Sequence, residues 1–118
     1  MSNWYARPVF HVRDTPTALA FYERRFGFAE DWRYAEAERL RIVQVSRAGC
    51  EVILTDQWPD LAGRGVLFLS LDRDDHAAAQ ADLAARGAPM TAGHWGYELA
   101  ILTDPDGNQL WIAEPGGS

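Results

Sequence analysis

The two halves of this chain repeat each other, and the repeat restricts the fold more than any single residue does. AGCEVIL at 48–54 lies over DGNQLWI at 106–112, and each reads as a turn, a glycine and then a strand. The match extends upstream. ARPVFHV (6–12) reads as a strand, and Asp14-Thr15-Pro16 starts a helix, with Asp14 or Thr15 capping and Pro16 in the first turn. Ala18, Leu19, Tyr22 and Phe26 recur at helical spacing, and Gly27 stops the helix. Strands are expected at 28–34, 39–46 and 50–55, and DQWPDLAGRG (56–65) reads as a linker. The second half opens on VLFLSL (66–71). It continues through an alanine-rich helix from Asp74 to Arg86 closed by Gly87, then strands near 88–92, 97–103 and 109–113. The expected fold is α+β: tandem βαβββ modules forming a curved mixed sheet with helices on its outer face. They make one domain, with modules over about residues 4–55 and 65–114 and a linker at 56–64.

Alternate residues of a strand point to opposite sides of a sheet. One set is uniformly apolar and suits packing under the helices: Pro8, Phe10 and Val12; Val52 and Leu54; Leu67, Leu69 and Leu71; Leu110 and Ile112. The other mixes charge, hydroxyl and aromatic groups: Arg7, Val9 and His11; Glu51, Ile53 and Thr55; Val66, Phe68 and Ser70; Gln109, Trp111 and Ala113. Ile53, Val66, Phe68 and Trp111 on that second face argue against simple solvation. A ligand cavity or a subunit interface is expected to cover them.

A net charge of −6 argues against nonspecific nucleic-acid binding, which needs Lys and Arg facing phosphates, and it is compatible with a cationic ligand. No apolar run approaches the roughly 18 residues of a membrane span. MSNWYARPVF has no charged head followed by a long apolar stretch, so the expectation is no signal peptide and, by default, a cytoplasmic location. The single cysteine, Cys50, reads as a small strand residue. Five tryptophans in 118 residues are a stronger signal, because Trp32, Trp58, Trp95 and Trp111 fall in or beside strands and loops, where flat side chains build surfaces for flat ligands.

VRDTPTALAFYERRFGF (12–28), HWGYELAILTDPDGNQLWI (94–112) and the internal repeat resemble the vicinal oxygen chelate superfamily, the glyoxalase, bleomycin-resistance and extradiol dioxygenase fold, over nearly the whole chain. WGYELAI followed by DPDGN is most similar to bleomycin-resistance proteins. That resemblance implies a metal-free antibiotic binder working as a homodimer. It also implies where superfamily enzymes keep their metal ligands: near the start of each module's first strand, here Arg7 and Val66, and on each last strand, here Ile53 and Trp111. None of the four is an ordinary metal ligand, since Arg stays protonated and the others offer no suitable donor. His11, Glu51, His94 and Glu98 are the candidates for a displaced site, but their spacing is not a recognised ligand pattern.

The expected function is therefore metal-free capture, without a cofactor, of an aromatic and possibly cationic antibiotic-like small molecule at a dimer interface. Trp95 and Trp111 would stack on it, with Trp32, Phe68, His11, Glu51 and Glu98 as further ligand-binding residues. Arg7 would pair with Glu51 or meet a ligand carboxylate. The alternative is a metal-dependent lyase, transferase or dioxygenase with rearranged ligands. Ser70 is placed beside His11 on a neighbouring strand, but no nucleophile turn or orienting carboxylate accompanies it. His76 reads as a surface residue of the second helix.

Overall fold

The computed structural model describes residues 4–113. Strands β1 (Val9–His11), β2 (Ala29–Glu36), β3 (Arg39–Arg47) and β4 (Cys50–Thr55) form one four-stranded sheet in the order β1-β4-β3-β2. Strands β5 (Val66–Ser70), β6 (Met90–His94), β7 (Glu98–Thr103) and β8 (Gln109–Ala113) form a second in the order β5-β8-β7-β6. Each module's first strand pairs in parallel with its last, placing Val9 beside Ile53 and Phe68 beside Trp111, and the other pairings are antiparallel. The expected tandem βαβββ order is present, as two mixed four-stranded sheets.

Helix α1 (Thr15–Arg25) is set by its ends. The Asp14 side chain accepts a hydrogen bond from the Thr17 N–H at 3.1 Å, and Gly27 takes a φ of 72° just past the last turn. Helix α2 (Arg73–Ala85) starts one residue earlier than the sequence suggested, because Asp72 caps it by accepting from the Asp75 N–H at 2.9 Å. The apolar strand set is the core. Phe10, Val12, Val52, Leu54 and Leu110 are buried with Val43 and Val45 of β3, with Tyr22 of α1 and with Phe26, which caps its end. Tyr22 and Phe26 meet edge to face at 5.0 Å. Leu67, Leu69 and Leu71 are only partly covered.

The DPDGN turn ties the two modules together. Asp104 Oδ1 accepts from the backbone N–H groups of Asp106, Gly107 and Asn108, each at 2.9 Å. Its Oδ2 accepts from the Tyr22 hydroxyl of α1 at 2.9 Å and from Asn108 Nδ2 at 3.1 Å. Asn108 Nδ2 also donates to the His11 carbonyl at 3.0 Å, and Arg13 bridges to Asp106 at 2.9 Å. Gly63 lies against this turn with a φ of 84°, where any side chain would run into the Asp106 carbonyl.

Two expectations need correction. His76 is buried, at 8% exposure, since it lies seven residues before Leu83 on the inward stripe of α2, and its Nε2 has no hydrogen-bond partner among the described residues. The supposed linker is also not uniformly solvated. Asp56 is buried, its Oδ2 accepting from the Thr15 N–H at 3.1 Å and from Arg39 at 3.2 Å, with Arg41 Nε 2.9 Å from its other oxygen. It holds the start of α1 onto the β3–β4 pair. A turn of 3-10 helix follows at Pro59–Leu61.

Hydrogen bonds from Thr17 hold the Asp14 carboxyl below the ordinary carboxylate range, Arg33 does the same for Glu30, and Arg86 for Asp82. Each therefore stabilises the fold above its unfolded pKa near 4, and that stability is lost as pH falls through the lower folded value. Asp104 runs the other way: burial raises its carboxyl, so its charge costs stability at neutral pH and acid relieves the cost. With three groups against one, the melting temperature is expected to fall between pH 5 and pH 3. Asp82→Asn should shrink that fall. A melting temperature that rises on acidification would mean that Asp104 dominates.

Candidate functional site

The mixed strand faces carry two clusters, one per sheet. On the second sheet the parallel pairing of β5 with β8 sets Phe68 beside Trp111. The β6–β7 hairpin turns through Trp95-Gly96-Tyr97, with the Trp95 N–H donating to the Tyr97 carbonyl at 3.0 Å and Gly96 at a φ of 67°. That turn brings Trp95 onto Trp111 at 5.5 Å between ring centroids, and Phe68 within 5.7 Å of Trp95 and 6.0 Å of Tyr97. Trp111 Nε1 donates to Gln109 Oε1 at 2.9 Å, which fixes the indole on its strand. Trp95 is 60% exposed, Tyr97 49% and Phe68 38%, a density of uncovered aromatic surface that an isolated chain leaves in water.

On the first sheet the centre is Gln44, buried in β3 and opposite Ile53. Its Oε1 accepts from Arg7 at 2.6 Å and from Trp32 Nε1 at 3.1 Å. Its Nε2 donates to Asp31 at 2.9 Å and to Glu51 at 3.1 Å. Both acceptor and both donor positions of the amide are filled, so only one orientation satisfies the network. Asp31 reaches this face because the β2–β3 register shifts between Glu30 and Trp32, a bulge that turns neighbouring residues to one side. The Arg7 guanidinium also lies 5.3 Å from the Tyr5 ring centre.

The expected site residues therefore fall into groups. Trp95, Trp111 and Phe68 come together, as do Arg7, Trp32 and Glu51. Arg7 does not pair with Glu51 directly, because Gln44 stands between them. His11 sits apart, its ring edge-on to Trp58 at 6.1 Å. Glu98 pairs with His94 at 3.2 Å, both exposed at the base of the Trp95 turn. Ser70 and His11 are not on neighbouring strands: among the described residues β1 pairs with β4 alone, and β5 with β8 alone. Gln44, Asp31 and Tyr97 were missed. Gln44 could have been found, since Val43 and Val45 in the core force it onto the mixed face of an internal strand.

Metal chemistry finds no donors at the positions the resemblance marks. Arg7 is a guanidinium engaged with Gln44, Ile53 and Val66 are aliphatic, and Trp111 uses its N–H on Gln109. Among the described residues no three His, Cys, Asp or Glu side chains converge as a metal's donors would. Among those residues, too, no helix is long and apolar enough to cross a membrane.

The sequence model of the Glyoxalase/Bleomycin resistance protein/Dioxygenase superfamily matches residues 4–112. The chain belongs to that superfamily. Solved structures of this superfamily's shape align along its length. TnmS3, an antibiotic binding protein from Streptomyces sp. CB03234, is 25% identical with a TM-score of 0.68, covering 98% of this chain and 100% of its own. A bleomycin resistance determinant encoded on the transposon Tn5 is 25% identical with a TM-score of 0.72, covering 97% and 99%. A bleomycin-binding protein complexed with bleomycin is 25% identical with a TM-score of 0.71, covering 95% and 98%. Among curated proteins none matches the chain.

Proposed function

We propose that this chain is a metal-free binding protein that captures an aromatic, cation-bearing, antibiotic-like molecule in a cavity completed by two copies of itself. The observation that carries this reading is the exposed cluster of Phe68, Trp95, Tyr97 and Trp111 on the open face of the second sheet. Aromatic rings there can stack on a flat ligand, each pair contributing about 0.5–1.5 kcal/mol beyond area burial. The Gln44 network supplies the polar counterpart. Asp31 and Glu51 put two carboxylates against one guanidinium, so the patch favours a ligand cation, and the chain's net charge of −6 steers it in. The antibiotic-binding and bleomycin-binding relatives support the ligand class. A panel of flat cationic antibiotics titrated against intrinsic tryptophan fluorescence tests the reading. Saturable quenching at one ligand per chain is expected, and a panel without any saturable response counts against it.

The mechanism is stoichiometric. The ligand's flat part is held between indoles while its charge is met by carboxylates already fixed by hydrogen bonds, so little ordering is left to do on binding. No bond in the ligand is made or broken.

Two outcomes follow from the same reading. The chain should sediment at twice its 13.2 kDa mass at micromolar concentration, because a monomer leaves Val66, Phe68 and Trp95 uncovered. A species of single-chain mass alone would argue against the shared cavity. Purified protein should hold no stoichiometric divalent metal, and chelators should leave its melting temperature unchanged. One zinc, nickel, manganese or iron per chain would instead favour a metal-dependent enzyme with rearranged ligands.

A further inference from the structure

A cavity lies on the other side of the second sheet, beneath α2. It encloses about 760 Å³ and is walled by Phe26 and Phe28 of the first module, Leu69, Leu102, Leu110 and Ile112 of the second sheet, and Ala79 and Leu83 of α2. Its origin is a difference between the two halves. α1 and its cap fill the space over their sheet with Leu19, Tyr22 and Phe26, whereas α2 presents Ala78 and Ala79 to the cavity with Leu83 as its only large apolar side chain there. The volume falls in the range of small-molecule sites, about 300–1,000 Å³. It opens on the face opposite Phe68 and Trp111, so it is separate from the aromatic cluster.

The mouth is acidic. Asp72, Asp75 and Asp82 line it, against the single cation Arg47. Arg47 is committed to Asp82 at 3.0 Å and to the Phe26 carbonyl at 2.8 Å. The Asp72 carboxylate is used to cap α2. The Asp75 carboxylate has no hydrogen-bond or ion-pair partner among the described residues. Cys50 also lines the space, and burial raises its thiol, which therefore adds no charge at neutral pH.

We propose that the space beneath α2 is a second binding site, for a compact aliphatic body carrying one ammonium group, with the hydrocarbon among Leu69, Leu83, Leu102 and Ile112 and the cation at the mouth beside Asp75. The shape of the walls supplies the apolar part, and the excess of carboxylates at the mouth supplies the sign of the charge.

A suitable probe is 1-aminoadamantane, a rigid aliphatic cage that has no flat face to stack on Trp95 or Trp111. Calorimetric titration of the native protein should show saturable binding. The methyl resonances of Leu69 and Leu83 should shift, and alkylation of Cys50 should slow. Adamantane-1-carboxylate should bind at least roughly tenfold more weakly than the amine. Ala79→Leu, which keeps a strong helix former while filling the space, should weaken the amine by at least about tenfold, and Trp95→Ala should leave it unchanged. Should Ala79→Leu fail to fold, the methyl shifts of the native protein decide the location. No saturable binding, binding lost in Trp95→Ala, unshifted Leu69 and Leu83 methyls, or carboxylate binding as tight as the amine would each overturn the proposal. Failure here leaves the aromatic face untouched, because its ligands are flat and its test reads tryptophan fluorescence.

Discussion

Asp104→Ala is expected to cost on the order of 4 kcal/mol in urea unfolding, a large share of the total stability of a chain of this size. Five donors converge on this one carboxylate: three backbone N–H groups of its own turn, the Asn108 side chain and the Tyr22 hydroxyl. The turn's outer amides can rehydrate when the acceptor is lost. Tyr22 and Asn108 are fully buried and cannot, and a buried donor left unpaired costs about 1–3 kcal/mol. Asp104→Asn keeps one acceptor oxygen and should lose roughly half as much. Tyr22→Phe removes the α1 donor together with its need and should cost only about 1 kcal/mol. A loss below about 1 kcal/mol in Asp104→Ala would show that the turn is held by its backbone alone.

Trp111→Ala is expected to weaken the flat ligand found by the fluorescence panel by about 2 kcal/mol or more, some thirtyfold, while the fold survives. The indole is half-buried, touches Trp95 and is held by Gln109, so its removal strips the centre of the aromatic cluster. Removal of a fully buried large aromatic would instead cost about 3–5 kcal/mol of stability. The two outcomes differ in kind. A large drop in melting temperature with unchanged affinity per folded molecule would make Trp111 a structural residue. Trp111→Glu puts a carboxylate where the resemblance places one and should still gain no useful metal affinity, because Arg7, Ile53 and Val66 supply no further donors. Tight metal binding by that variant would show that the ligand positions have been misplaced.

Much of the architecture was legible in the sequence because its signals are local. Asp14 and Gly27 bound the first helix through interactions within a few residues, and the alternation around Val52 and Leu54 states which side of β4 is buried. The pairing of Trp95 with Trp111 was only half legible: both were candidates, but their contact depends on a hairpin turn and on the β7–β8 register. The Gln44 network was hidden because its four partners come from three separate segments and one of them, Asp31, arrives through a bulge. His76 was misread because polarity outweighed its place on the stripe with Leu83. The cavity beneath α2 was invisible for a different reason. An alanine-rich helix reads as a good helix whether or not its alanines leave space below them.

The ties around Asn108 bear on how the protein comes apart. Asn108 donates to the His11 carbonyl and accepts from the Gly65 N–H at 2.9 Å, Arg13 reaches Asp106, and Tyr22 reaches Asp104. Each of these bonds joins a residue of the loop before β8 to something encoded far upstream. The halves look like two copies of one unit, yet neither carries its own set of partners. Unfolding should therefore be a single cooperative event, with amide exchange in β1 and β8 proceeding together. A fragment ending before the loop would leave the buried Tyr22 hydroxyl and the His11 carbonyl without these partners, so the first module is not expected to fold stably without the second.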